Sequence, residues 1–308
     1  MSPLPKSGSK GTSRIKRMPQ SQPRLNSVMA CDTAFRLVAR RCLADLMAKH
    51  AATCMGDAEA LHQMRVALAR LGATISFFSP MVADSQRKRI RAELRWLHGQ
   101  LGAVRDLDVA IGRLETSSKH RPQDYRSWKA KRAKSHRRLI RALRSERYRR
   151  LISSASGWME SGPWSTKKGK QSVERRACSI ASYSADKLMR WQEKLLKKSR
   201  KLRHLSAKKR HRLRLRNKKC YYSTEFFVDL FRNRGLARQR AALRCLRKAQ
   251  KSLGQLNDNT KGQSLTAALQ REGVRTPMPF HGQKHEKRLM QRAVAAYREL
   301  AALKPLRV

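Results

Sequence analysis

Residues 61–78, LHQMRVALARLGATISFF, align without a gap with residues 210–227, RHRLRLRNKKCYYSTEFF. His62 falls on His211, Arg65 on Arg214, Arg70 on Lys219, and Phe77-Phe78 on Phe226-Phe227, at an offset of 149 residues. Further along, LGAVRD (101–106) falls on LGQLND (253–258) at an offset of 152, which also sets Arg95 against Arg247. Two blocks in the same order at nearly the same offset point to an internal duplication of about 150 residues. The fold must therefore build a similar element twice and find an apolar partner for each copy.

The period of the blocks says what that element is. Wound at 100° per residue from His62, residues 61, 64, 68, 71, 75 and 78 form a continuous apolar stripe. Arg65 then lies at about −60° and Ala69 at about −20°, on the His62 side of the helix. In the second copy His211, Arg214 and Lys218 take those three positions, and Leu213, Cys220 and Phe227 make a thinner stripe. The alternation Arg212-Leu213-Arg214-Leu215-Arg216 looks like a strand, but a strand would bury only two leucines and stack three arginines on one side.

The same period runs through the rest of the chain. Helices are expected over about 28–50, 57–79, 84–115, 122–160, 172–203, 206–233, 236–257, 260–272 and 283–303, with Pro122 in a first helical turn. Strand-rich segments with hairpin turns are missing, so the fold class is all-α. Residues 1–26 are basic and rich in Ser, Pro and Gly, and read as a flexible arm. Residues 27–160 form the first half and 173–308 the second, each a helical bundle, with the turn-rich 161–172 as a linker. Trp96 and Trp191 fall within helices and are expected to pack there.

Charge narrows the partner. The chain carries 72 Lys and Arg against 21 Asp and Glu, a formal net charge of +51. Self-repulsion on that scale destabilises a compact state, so a polyanionic partner is expected. Twelve residues, 208–219, hold eight lysines and arginines and no acid, and 119–150 holds 14. The second run is read as an extension of the anion-binding surface. No window approaches the ~18 apolar residues of a membrane span, and no signal-peptide core is present. The six cysteines form no C-x-x-C pair or metal spacing and read as free thiols of a reducing compartment. A cytoplasmic protein with no membrane insertion follows as the expectation.

The nominated binding residues are His62, Arg65, Arg70, Arg95, Arg105, His211, Arg214, Lys218, Lys219 and Arg247. Arginine offers phosphate a planar fork, lysine a point charge, and histidine a hydrogen bond with a charge that can follow an anion. Asp106 and Asp258 are read as partners that orient neighbouring arginines, and Gly102 and Gly254 as sites of close helix approach or a local bend. No phosphate loop, H-E-x-x-H or nucleophile elbow is present. His281 and His285 have i, i+4 spacing, but the loop before them argues against a metal site. No catalytic residue, metal or cofactor is nominated.

At these motifs the sequence resembles the CHAD family, the conserved histidine α-helical domain. The family pattern is H-x-x-R-V-x-x-R-R-L-R followed by LG-x-x-RD-x-DV; here HQMRVALARLG and LGAVRDLDV stand in those places. Its second half reads H-x-x-R-x-x-x-K-x-x-R-Y-x-x-E and then LG-x-x-ND, matched by HRLRLRNKKCYYSTE and LGQLND. The resemblance covers about residues 28–303. It implies two bundles of long antiparallel helices related by a pseudo-two-fold axis. It also implies a basic central surface that binds inorganic polyphosphate, and association with polyphosphate granules. Ala69, Gly72 and Tyr221 stand where the family has arginine. No E-x-E signature of a triphosphate-tunnel domain occurs.

Two other function classes compete. Non-specific nucleic-acid binding draws on the same charge, but single-strand readers use stacking aromatics, and aromatics are 6% of this chain. An enzyme acting on polyphosphate or a nucleotide would need metal-binding carboxylates. Only Glu225, Asp106, Asp108 and Asp258 are placed to serve, too few for that chemistry.

Overall fold

A computed structural model describes residues 25–116, 126–273 and 282–303. Eleven α-helices account for most of them: α1 Cys31–Ala48, α2 His50–Cys54, α3 Ala58–Phe77, α4 Ser85–Glu115, α5 Arg126–Arg144 and α6 Glu146–Ser161, then α7 Lys170–Ala177, α8 Ile180–Ser199, α9 Ala207–Phe227, α10 Asn233–Arg271 and α11 Gln283–Ala301. Among the described residues extended pairing is limited to one antiparallel bridge, Ala30 to Ser179. The all-α class is therefore as the periodicity requires. The expected arm at 1–26 lies almost wholly outside the described residues, as do Pro122 and His281.

The expected helix 28–50 divides into α1 and α2, the expected helix 206–233 stops at Phe227, and three further boundaries differ for a local reason. The expected helix 122–160 divides at Ser145, whose backbone turns extended and whose hydroxyl caps α6 by accepting from the Tyr148 N–H. The expected helix 172–203 divides at Ser179, which caps α8 at the Ser182 N–H while its backbone joins the bridge to Ala30. The opposite happens at 257–260, where Asn, Asp, Asn and Thr suggest a break. Here α10 runs on unbroken through 39 residues. Asn257 and Asn259 do not compete with the helix backbone, because their side chains bond across helix interfaces. Asn257 Oδ1 accepts from His211 Nδ1 at 2.7 Å, Asn259 Oδ1 accepts from Arg113 Nη1 at 2.8 Å, and Asn259 Nδ2 donates to Glu286 at 3.2 Å.

The apolar stripes meet in two main clusters. The first gathers α1, α3, α4 and α6 round Phe35, Phe77, Phe78 and Trp158, and also takes Ile180, Leu188, Phe227 and Leu230 from the second half of the chain. Its centre is aromatic: Phe77 stacks on Phe227 at 4.9 Å between ring centres, and Phe78 on Tyr183 at 5.6 Å. The second joins α8, α9, α10 and α11 through Leu195, Leu213, Cys220, Leu246, Leu253, Leu289 and Tyr297. A smaller third cluster closes the far ends of α4, α5 and α10 with Leu107, Ile111, Trp128 and Leu269. Trp96 and Trp191 pack partly buried against these clusters, as expected.

The 161–172 segment is more than a connection. Its Trp164 is 0% exposed, meets Phe35 edge-on at 5.3 Å, and donates its indole N–H to the Trp158 carbonyl at 2.8 Å. Gly162 makes this possible, since a Cβ there would come within 2.5 Å of Trp158 Cδ1 and 2.6 Å of its carbonyl oxygen.

Candidate functional site

Helices α3 and α9, which carry the two aligned blocks, pack against each other through the Phe77–Phe227 stack. α4 packs on α3 and α10 on α9, and α4 also touches α10. Asp57 and Ser206 fix where α3 and α9 begin, by accepting from the backbone N–H of Glu59 and Ala60 and of Lys209. One turn into each helix stand His62 and His211, and three residues later Arg65 and Arg214.

These four helices bring one group of cations together. Arg65 interacts with Arg105, Arg214, Asp106 and Asp258, and Lys218 with Arg65, Arg214 and Asp258. His62 lies in the field of Arg105, Lys218 and Arg65. His98 on α4 completes the group from the solvent side, facing Arg65, Lys218, Arg214 and His211. Lys261 on α10 adds its field at Asp106. Asp106 and Asp258 oppose this group at its centre, and Glu59 opposes it at His62.

Gly102 shapes the floor. A Cβ there would sit 3.1 Å from Arg65 Nη1, so the bare glycine lets the guanidinium lie against α4. Gly254 has open space where its Cβ would be, so the matching glycine makes no such approach. Arg65 Nη1 and Arg214 Nε are buried and meet no acceptor among the described residues. A buried donor without an acceptor costs about 1–3 kcal/mol, so this packing is held at some expense of stability. The His211–Asn257 bond holds one ring with Nδ1 occupied and Nε2 available.

The electrostatic consequences follow from crowding like charges in a partly desolvated place. Burial, then Arg214 and Arg65, push the Lys218 ammonium down to about 7. Burial and Arg105 hold His62 below the ordinary histidine range. Burial also lowers Arg65, against the pull of Asp106, and raises Asp106, against the pull of Arg65. The ligand-free site thus carries less than its full charge.

A cavity of about 260 Å³ continues the cationic surface beyond His211, lined by Lys208, Arg210, Asn257, Thr260 and Lys261 over Leu253 and Leu256. The larger groove of about 950 Å³ between α4 and α6 contains none of the residues nominated from sequence.

Of the nominated residues, His62, Arg65, Arg105, His211, Arg214 and Lys218 come together. Arg70 instead pairs with Glu225 at 3.2 Å and lies over the Phe226 ring. Arg247 donates to the Tyr221 hydroxyl at 3.3 Å, and that hydroxyl donates to Glu225 at 3.0 Å. Arg70, Glu225, Tyr221 and Arg247 are therefore one chain of contacts across α3, α9 and α10. Lys219 neighbours Arg91 and Arg216, and Arg95 is exposed one turn of α4 beyond Arg91. The basic run of α5 and α6 is partly occupied by ion pairs: Lys129–Glu115, Lys131–Glu272, Arg132–Asp108 and Arg147–Glu93. His98 and Lys261 join the cluster without having been nominated from sequence. His98 has a sequence signal, since residues 98, 102, 105 and 106 share one face of α4.

Solved structures of other proteins share this architecture. The crystal structure of the CHAD domain from the plant Ricinus communis matches with a TM-score of 0.74 at 25% identity, covering 92% of this chain and 96% of that one. PptA from Streptomyces chartreusis matches in fold, with a TM-score of 0.55 at 16% identity, over 89% of this chain and 96% of the other. No curated protein matches the sequence. The CHAD domain family model matches residues 37–266, a span that takes in every residue of the cation cluster. With that match covering most of its length, the chain belongs to the CHAD domain family.

Proposed function

We propose that this protein binds inorganic polyphosphate, without turning it over, on the cationic surface shared by α3, α4, α9 and α10. The observation that carries the reading is the convergence of Arg65, Arg105, Arg214, Lys218, Lys261 and three histidines from four helices against three carboxylates, Asp106, Asp258 and Glu59. The arginines bring planar guanidinium forks, which match the oxygens of an acceptor-rich chain of phosphates. A linear polymer could engage the α3 and α9 faces at once, and simultaneous engagement raises avidity without tight single contacts. Family membership supports the same class of ligand, and with it a place on polyphosphate granules. Glu225, one of the carboxylates that catalysis would need, is held by Arg70 and Tyr221 instead.

The test is a titration of long-chain polyphosphate against wild type, His62→Ala/Arg65→Ala and His211→Ala/Arg214→Ala, with duplex and single-stranded nucleic acid as competitors. Loss of affinity in both double variants is expected, with poor competition at equal phosphate concentration. Efficient displacement by nucleic acid would replace polyphosphate specificity with general polyanion binding. Release of orthophosphate in the presence of magnesium would overturn the non-catalytic reading.

A further inference from the structure

The segment just before α1 and the α7–α8 junction lie side by side. Ala30 faces Ser179 in an antiparallel bridge, Cys31 N–H donates to the Cys178 carbonyl at 2.9 Å, and Ile180 N–H donates to the Met29 carbonyl at 2.8 Å. Ser179 Oγ also donates to the Ser27 carbonyl at 3.1 Å, which fixes the register further. In that register Cys31 stands opposite Cys178, whose thiol donates to the Ser179 carbonyl at 3.6 Å and lies close enough to raise the Cys31 thiol. Cys31 opens α1 and Cys178 caps α7, and the 2.9 Å backbone bond between them keeps their Cα atoms within the roughly 4.4–6.8 Å that a disulfide requires. Cys54 and Cys245 turn to His50 and Glu299 instead.

We propose that Cys31 and Cys178 are a disulfide-forming pair, open in the reduced protein and closed by exchange with a low-molecular-weight disulfide such as oxidised glutathione. Cys178 is half-buried and reachable, whereas Cys31 is 0% exposed. The Cys178 thiolate attacks one glutathione sulfur, forming a mixed disulfide and releasing one glutathione thiolate. Cys31 gives its proton to water, and its sulfur attacks Cys178, expelling the second glutathione thiolate. Two protein thiols are oxidised and one glutathione disulfide is reduced to two thiols. Burial and the neighbouring Cys178 push the Cys31 thiol up to about 12, so closure is slow and speeds up as pH rises.

The bond would join the two halves of the chain behind the cation cluster. α1 backs α3, which carries His62 and Arg65, and α8 backs α9, which carries Arg214 and Lys218. It would close a loop of 147 residues, from 31 to 178, and long loops give disulfides much of their stabilising effect. This inference is independent of the polyphosphate reading.

The experiment treats the full chain with oxidised glutathione at about pH 8.5 and maps tryptic peptides under non-reducing conditions. Expected are a crosslink between peptides 25–36 and 177–187, and four of the six cysteines still titratable after denaturation. Oxidation should raise the melting temperature by roughly 5–10 °C, and should not do so in Cys178→Ser, which leaves the buried Cys31 untouched. Six free thiols, a glutathione adduct arrested on Cys178, or crosslinks to other cysteines would each overturn the proposal. A crosslink without a melting shift would overturn its stabilising role.

Discussion

Arg65 reaches across from α3 to lie against the backbone of Gly102 on α4, so close that a single added carbon would meet its Nη1 at 3.1 Å. The glycine is therefore part of how the arginine is aimed. Because the clash would be with the far end of a flexible side chain, Gly102→Ala should fold normally. It should displace the guanidinium and weaken polyphosphate binding by roughly three- to tenfold, about 1 kcal/mol. Titration beside a melting curve checks this, and an unchanged affinity would refute the positioning role.

Binding should strengthen as pH falls. Lys218 titrates near 7 in the free protein, and His62 below its usual range, so at neutral pH both are short of full protonation. A polyanion favours the protonated forms and raises both pKa values, so protons are taken up on binding. Affinity measured from about pH 6 to 9 at fixed ionic strength should decline with rising pH, and Lys218→Arg should flatten the decline above about pH 7. A flat wild-type profile would contradict the crowded-cation account.

The same depressed lysine carries a stability signature in the absence of ligand. Its folded pKa of about 7 lies below the ordinary lysine value of 10.5, so between those values the unfolded chain holds the extra proton. Stability therefore rises with pH across that window, and the destabilising contribution is fully present below about 7. Lys218→Met should stabilise the free protein at neutral pH, on the order of 1 kcal/mol, while weakening polyphosphate binding. Urea unfolding at two pH values checks the sign.

Cations that sequence alignment treats alike should behave differently. Arg214→Ala should cost about tenfold in affinity and lower the salt dependence of binding. Arg247→Ala should change affinity less than twofold, because that arginine is engaged with Tyr221, outside the cluster. Equal losses in the two variants would show that the cluster does not mark the limits of the binding surface.

Trp164 tests the packing of the 161–172 segment. Trp164→Ala empties a fully buried site against Phe35 and Trp158, and should destabilise the protein by about 3–5 kcal/mol. A midpoint within error of wild type would make the segment a mere tether.

Helical period and the two aligned blocks make α3, α9 and the pair of His-x-x-Arg faces legible in the sequence alone. What stays hidden there depends on contacts between helices. Arg70 and Arg247 sit at well-aligned positions, yet Glu225 and Tyr221 draw them into another network. His98 does not stand out when the chain is aligned with itself, because self-alignment favours residues that recur. Its counterpart at the 152-residue offset is Gln250, which accepts from Asn217. The unbroken α10 is hidden for a related reason. Asn257 and Asn259 are poor helix formers by propensity, and only partners on α9, α4 and α11 explain why the helix continues.

The sharing of the first apolar cluster has a consequence for dissecting the chain. Ile180, Leu188, Phe227 and Leu230 find their burial among side chains encoded before residue 165. A fragment ending at the seam would leave Phe77 and Phe78 uncovered, and its complement would expose Phe227. Neither piece should be soluble alone, while the two co-expressed should reassociate. The chain should melt in a single cooperative transition, despite the resemblance between its two halves.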